Sequence, residues 1–119
     1  MHIEDYQQQL CRIIARAPGL IDHWCDIIRY DTGLDKEGQQ VRYAKILGRS
    51  DYGEGDDRLF VVTVDTIDFA LRLIASGADI DFATPAFLKR VSNLSGPLLD
   101  EDVDQLVQIG LYGKINFGR

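Results

Sequence analysis

A chain of 119 residues with a formal net charge of −6 has the length of one domain and is long enough to build an independent core. Its hydrophobic share of 45% and charged share of 27% are those of an ordinary globule, and no apolar run approaches the roughly 20 residues that cross a bilayer. The acidic excess is shared evenly by the two halves of the chain, so neither end is a charged tail, and the basic footprint that direct nucleic-acid binding needs is missing.

Residues 1–119 read as a single globular domain. The amino terminus, Met-His-Ile-Glu-Asp, has no basic n-region followed by an apolar stretch, so a cytoplasmic location is expected. Cys11 and Cys25 are the two cysteines, and in that compartment they are expected as reduced, buried thiols.

The first predicted helix covers residues 2–16, where Ile3, Tyr6, Leu10, Ile13, Ile14 and Ala17 recur at spacings of three and four. Pro18-Gly19 then breaks the pattern. Leu20, Ile21, Trp24, Cys25 and Ile28 resume it and predict a second helix over about 20–31, paired with the first as a hairpin. A polar stretch, 32–40, follows.

Val41, Tyr43 and Leu47 alternate with Arg42 and Ala44, which predicts a strand over 41–48. The run Leu59-Phe60-Val61-Val62-Thr63-Val64 predicts a second strand over 58–64, apolar on both faces and therefore expected to be covered on both. Between them, Ser-Asp-Tyr-Gly-Glu-Gly-Asp-Asp at 50–57 is the strongest turn signal in the chain and makes the pair an antiparallel hairpin.

A third helix is predicted over about 66–76, capped by Asp65 or Thr66 and ended by Gly77. Thr84-Pro85 opens a fourth, a capping residue followed by proline at the first helical position. It runs inward through Phe87, Leu88, Val91 and Leu94 and is stopped by Ser95-Gly96-Pro97. A fifth spans about 100–109, with Asp100, Glu101, Asp102 and Asp104 in its first turn, where the helix dipole favours negative charge. Lys114–Phe117 offers a third strand beside 58–64. The order implies an α+β domain, about five helices on a small antiparallel sheet.

Chemistry is thinly represented. His2 and His23 are the two histidines. Two residues apart on a helix, His23 and Cys25 would diverge by about 200°, at 3.6 residues per turn, and would form neither a nucleophile–base pair nor a metal clamp. The acidic loop Asp51–Asp57 has hard oxygen donors but not the spacing of a calcium loop. No phosphate-cradling glycine loop and no nucleophile elbow is present. The four acids at 100–104 would repel DNA from a recognition helix placed there.

No metal and no cofactor is expected. The reading that remains is a non-catalytic, acidic protein-interaction module, one form of which is an inhibitor that masks a basic or nucleic-acid-binding surface of a partner protein. The expected contact residues are Asp51, Tyr52, Glu54, Asp56 and Asp57 in the loop, Asp100, Glu101, Asp102 and Asp104 at the helix start, and the aromatic Tyr112. Two alternatives stand beside it. One is a small acid–base enzyme, or a subunit of one, using His23 with carboxylates. The other is a self-associating protein, a homodimer paired through an exposed edge at strand 41–48.

Overall fold

A computed structural model describes residues 3–34, 40–48, 58–92, 94, 96–115 and 117. Within them the chain forms helices α1 (Ile3–Arg16) and α2 (Pro18–Ile21), strands β1 (Cys25–Leu34), β2 (Gln40–Gly48) and β3 (Arg58–Val62), and helices α3 (Val64–Ala75), α4 (Pro85–Val91) and α5 (Asp100–Tyr112). The three strands make one antiparallel sheet in the order β1-β2-β3. Five helices and a three-stranded sheet make this an α+β fold.

The helical stripe of α1 is real. Leu10, Ile13, Ile14 and Ala17 are buried, and α1 packs on both α3 and the central strand β2. Pro18 does not merely end α1; it begins α2 as its first residue, where its missing N–H is no loss.

The expected helix over 20–31 is overturned. After one turn the chain enters β1, and the reason the pattern misleads is a β-bulge. The pairing of β1 with β2 slips between Ile27 and Arg29, so Ile27 faces Ile46 and Arg29 faces Lys45. The extra residue advances the side-chain alternation by one. The residues on the covered side become Cys25, Ile27 and Tyr30, and the bulged Ile28 falls three after Cys25, a spacing that imitates a helix.

β1 therefore supplies the third strand, and the described residues of 114–117 form none. The central strand is β2, not β3, and the strand expected to present an edge is the one covered on both sides. β3 is an edge strand with one open face: Val62 is buried while Leu59 and Val61 are about half exposed. Its run of β-formers reflects pairing propensity rather than two-sided burial.

The helices cover the other face, where Ala44, Ile46 and Val62 meet the apolar sides of α1, α3 and α5. α3 is capped by Thr63, not by Asp65 or Thr66: the Asp65 amide donates to Thr63 Oγ1 (3.1 Å) and the Thr63 amide to Thr66 Oγ1 (3.1 Å). α4 begins as expected, with the Phe87 amide donating to Thr84 Oγ1 (3.1 Å), but ends at Val91. α5 continues past Gly110 to Tyr112 and stops at Gly113, whose φ of 76° supplies the left-handed cap. Gly110 lies inside α5 because α3 crosses it there. A Cβ at that position would come within 2.3 Å of the Thr66 carbonyl oxygen, so only glycine permits this approach.

Candidate functional site

The first turn of α5 carries the most elaborate polar structure among the described residues. The Asp104 carboxylate is buried and accepts from three side chains. Its Oδ1 receives Trp24 Nε1 (2.7 Å) and Gln108 Nε2 (3.1 Å), and its Oδ2 lies 2.7 Å from His23 Nε2. Since a carboxylate only accepts, Nε2 is the His23 nitrogen that carries hydrogen here. Gln108 extends the network. Its Nε2 also donates to the Phe117 carbonyl (2.9 Å), and its Oε1 accepts the Phe117 amide (2.7 Å).

One side chain thus does for Phe117 what a neighbouring strand would have done. It holds the Phe117 ring in a stack on Trp24, with centroids 5.4 Å apart and planes 10° from parallel. Tyr112 packs edge-on to Trp24, Phe60 and Phe117.

Asp102, which ties α5 to α4, is fully buried. It accepts two parallel bonds from Arg90, Nε to Oδ2 at 2.7 Å and Nη2 to Oδ1 at 2.9 Å, the fork geometry that suits a guanidinium. Its Oδ2 also takes the Leu99 amide (2.8 Å), which caps the helix start. The bond to Asp102, and beyond it the nearby charge of Glu101, raises the Arg90 pKa above its ordinary value.

The expected contact residues therefore separate. Asp102 and Asp104 point inward and are engaged with the core; sequence reasoning placed them on the surface because acids at a helix start usually stay in water. Asp100 and Glu101 are exposed, Asp100 in an ion pair with Arg16 (2.8 Å) and Glu101 near Arg90 (3.8 Å). Tyr112 belongs to the last turn of α5 and to the aromatic cluster rather than to a loop. Asp51, Tyr52, Glu54, Asp56 and Asp57 lie outside the described residues.

The His23–Asp104 contact resembles the base–orienter half of a catalytic triad. The nearest thiol in sequence, Cys25, is buried and donates to the Ile21 carbonyl (3.3 Å). Burial first, and then the carboxylates of Asp26, Asp22 and Asp104, push it up to about 12, so at neutral pH it is a thiol and not the thiolate a nucleophile requires. Two grooves, of about 360 and 470 Å³, lie beside α1. One is walled by Tyr6, Leu71, Ile74 and Val91 and the other by Arg12, Ile13 and Pro97; neither includes His23 or Asp104. Among the described residues no three His, Cys, Asp or Glu side chains gather to hold a metal ion, and no helix is long and apolar enough to cross a membrane.

The residue that sequence reasoning missed is Phe82. It sits in the turn between α3 and α4, is 82% exposed, and has a φ of 68°. Left-handed backbone costs a non-glycine residue roughly 1–2 kcal/mol, more for a bulky one, and the turn is closed by the Ala83 amide bonding to Ile80 O (3.2 Å). Ile80, buried, anchors the turn from below, while Asp79 and Asp81 are exposed on it. The signal available in the sequence was an aromatic isolated beside two acids, Asp-Ile-Asp-Phe; nothing local announced its backbone conformation.

Comparison of the chain with protein-family models, with curated proteins and with solved structures finds no match.

Proposed function

We propose that this protein is a non-catalytic interaction module that binds another protein through the Asp79–Phe82 turn. The observation that carries the reading is Phe82, an aromatic ring held in solvent by a backbone conformation unfavourable to it. Aromatic side chains, phenylalanine among them, are enriched at protein interfaces, and a turn whose backbone is already closed in the free protein loses little freedom on binding. Asp79 and Asp81 beside it, with exposed Asp100 and Glu101 elsewhere on the molecule and a net charge of −6, favour a partner whose pocket is apolar at its centre and basic at its rim. An inhibitor that masks a basic or nucleic-acid-handling surface is one form of this activity.

Catalysis is set aside in this reading because the buried carboxylates have protein partners and the Cys25 thiol is protonated at neutral pH. The reading takes the cytoplasm as the protein's compartment, where the thiols of Cys11 and Cys25 stay reduced.

The test is affinity capture from the native cell lysate with three baits: the wild-type chain, Phe82→Ala, and Asp79→Asn/Asp81→Asn. The expected result is a protein retained by the wild type, lost with Phe82→Ala, and bound more weakly by the double variant and at higher salt. A partner held equally by all three baits and insensitive to salt rejects the reading.

A further inference from the structure

The sheet has two edges, and they are finished differently. The β1 edge is interrupted by the bulge between Ile27 and Arg29 and carries Asp26, Arg29 and Asp31 in solvent. Asp31 Oδ1 accepts the Thr32 backbone N–H (2.8 Å), and its Oδ2 holds Arg29 (2.8 and 3.3 Å). Bulges and charged side chains are the devices by which proteins close an edge to further pairing.

The β3 edge has none of them. It reads Arg-Leu-Phe-Val-Val, without proline, acid or bulge, and its single charge is its first residue. Its ladder partner is β2, and among the described residues no other strand pairs with it. Leu59 and Val61 are 56% and 53% exposed on the face that the helices leave open.

We propose that two copies of this chain pair along β3, antiparallel about a twofold axis through Phe60, and so form one six-stranded sheet. The strand is its own complement, which is why the occupant is a second copy. Leu59 and Val61 are placed symmetrically about Phe60. The twofold therefore sets Leu59 of each copy against Val61 of the other, both pairs on the same open face. Arg58 falls opposite Val62, so its like-charged mate lies four positions away, roughly 13 Å at 3.3 Å per residue.

Pairing uses up both β3 edges and leaves a β1 edge at each end of the new sheet. Those ends are the guarded ones, so growth stops at two, as an isologous contact requires. A five-residue strand pair buries less than the roughly 1,200 Å² of a standard interface, and the dimer dissociates on dilution. This inference is independent of the Phe82 turn, which lies elsewhere in the chain and takes no part in the pairing.

Sedimentation equilibrium on the full chain over a wide concentration range tests it. The mass rises from 13.4 kDa toward twice that value. Leu59→Lys/Val61→Lys sets lysine against lysine at both cross-strand positions and gives a monomer. Leu59→Lys/Val61→Glu sets each new lysine against the other copy's new glutamate and keeps the dimer, which a contact without this register would not do. Both side chains are exposed, and circular dichroism confirms that the variants fold. Hydrogen exchange needs no variant: the β3 amides exchange more slowly as concentration rises. A wild-type chain monomeric throughout overturns the proposal and leaves the edge to a strand from another protein. A dimer that survives the double lysine, or that both variants abolish, overturns the register.

Discussion

The first turn of α5 and the turn at Asp79–Phe82 look alike as sequence, since each sets carboxylates close together next to an apolar residue. In the fold they are opposites. At the start of α5, Asp102 and Asp104 lie inside the molecule and satisfy donors from α4, from the segment before β1 and from α5 itself. At the other turn, Asp79 and Asp81 stay in water and it is the aromatic ring that is out of place. An acidic composition is therefore not a map of acidic surface. Two of the eight acids after residue 60 hold the protein together, and a different pair, Asp79 and Asp81, precedes the exposed Phe82 with its left-handed backbone.

The comparison breaks most sharply at Asp104. Asp104→Ala strands the Trp24 indole N–H, His23 and one Gln108 hydrogen in a buried site. Removing one partner of a buried charged network costs about 3–5 kcal/mol, a large part of the roughly 5–15 kcal/mol that holds a domain together. Urea unfolding followed by Trp24 fluorescence measures it. A loss under about 1 kcal/mol, the scale of a single ordinary hydrogen bond, would show that the network is decoration.

Asp102→Ala is the second step down. Arg90 is 29% exposed along its side chain, so water recovers part of what the guanidinium loses. The expected cost is about 1.5–3 kcal/mol, the range for hydrogen bonds to charged groups. By contrast Asp79→Asn and Asp81→Asn change stability by less than about 0.5 kcal/mol, as surface substitutions do. A similar cost for all four acids would erase the distinction between the two turns.

The two-way division was only partly legible in the sequence. Wherever a local signal coincided with the tertiary outcome, the reading held: the stripe of α1, the strand at Gln40–Gly48, and Thr84-Pro85 at the start of α4. It failed where a tertiary feature altered the local pattern. Ile28, the extra residue of the bulge in β1, fell at helical spacing from Ile21, Trp24 and Cys25, and the stretch then looked helical. β3 looked like a central strand because strand propensity does not distinguish an edge from a centre. Asp102 and Asp104 looked solvated because their partners, Arg90, His23 and Trp24, come from elsewhere in the chain. Phe82 was invisible, since a left-handed φ leaves no mark in a sequence unless glycine or asparagine carries it.

Protonation sharpens the interior side of the comparison. The Cys25 thiol, lifted to about 12 by burial and by Asp26, Asp22 and Asp104 in that order, holds its proton more tightly folded than unfolded. So does the Tyr6 hydroxyl, raised to about 12 by burial and by its bond to Asp68 (2.6 Å). Groups with raised folded-state values stabilise the protein fully below their unfolded values, 9.0 and 10.0. They lose that contribution as pH climbs toward the folded ones. Stability therefore falls between pH 9 and 12, and alkylation of Cys25 at pH 8.5, near the ordinary thiol range, is slow until the chain unfolds. Rapid alkylation of folded protein at that pH would contradict the burial of Cys25.

A small effect of opposite sign is the most telling for the outward turn. Phe82→Gly removes about 1–2 kcal/mol of left-handed strain and returns roughly 0.5–1 kcal/mol of it as backbone entropy in the unfolded chain. The net is a protein unchanged or more stable by about 1 kcal/mol, read as a small rise in melting temperature. Partner capture by the same variant is lost. A side chain whose removal leaves the fold no weaker has its purpose outside the fold, and only the pairing of these two measurements separates that case from an aromatic ring exposed by accident. If Phe82→Gly destabilises by more than about 1 kcal/mol, the ring is supporting its own turn, and the contact surface must be sought on the open face of the sheet instead.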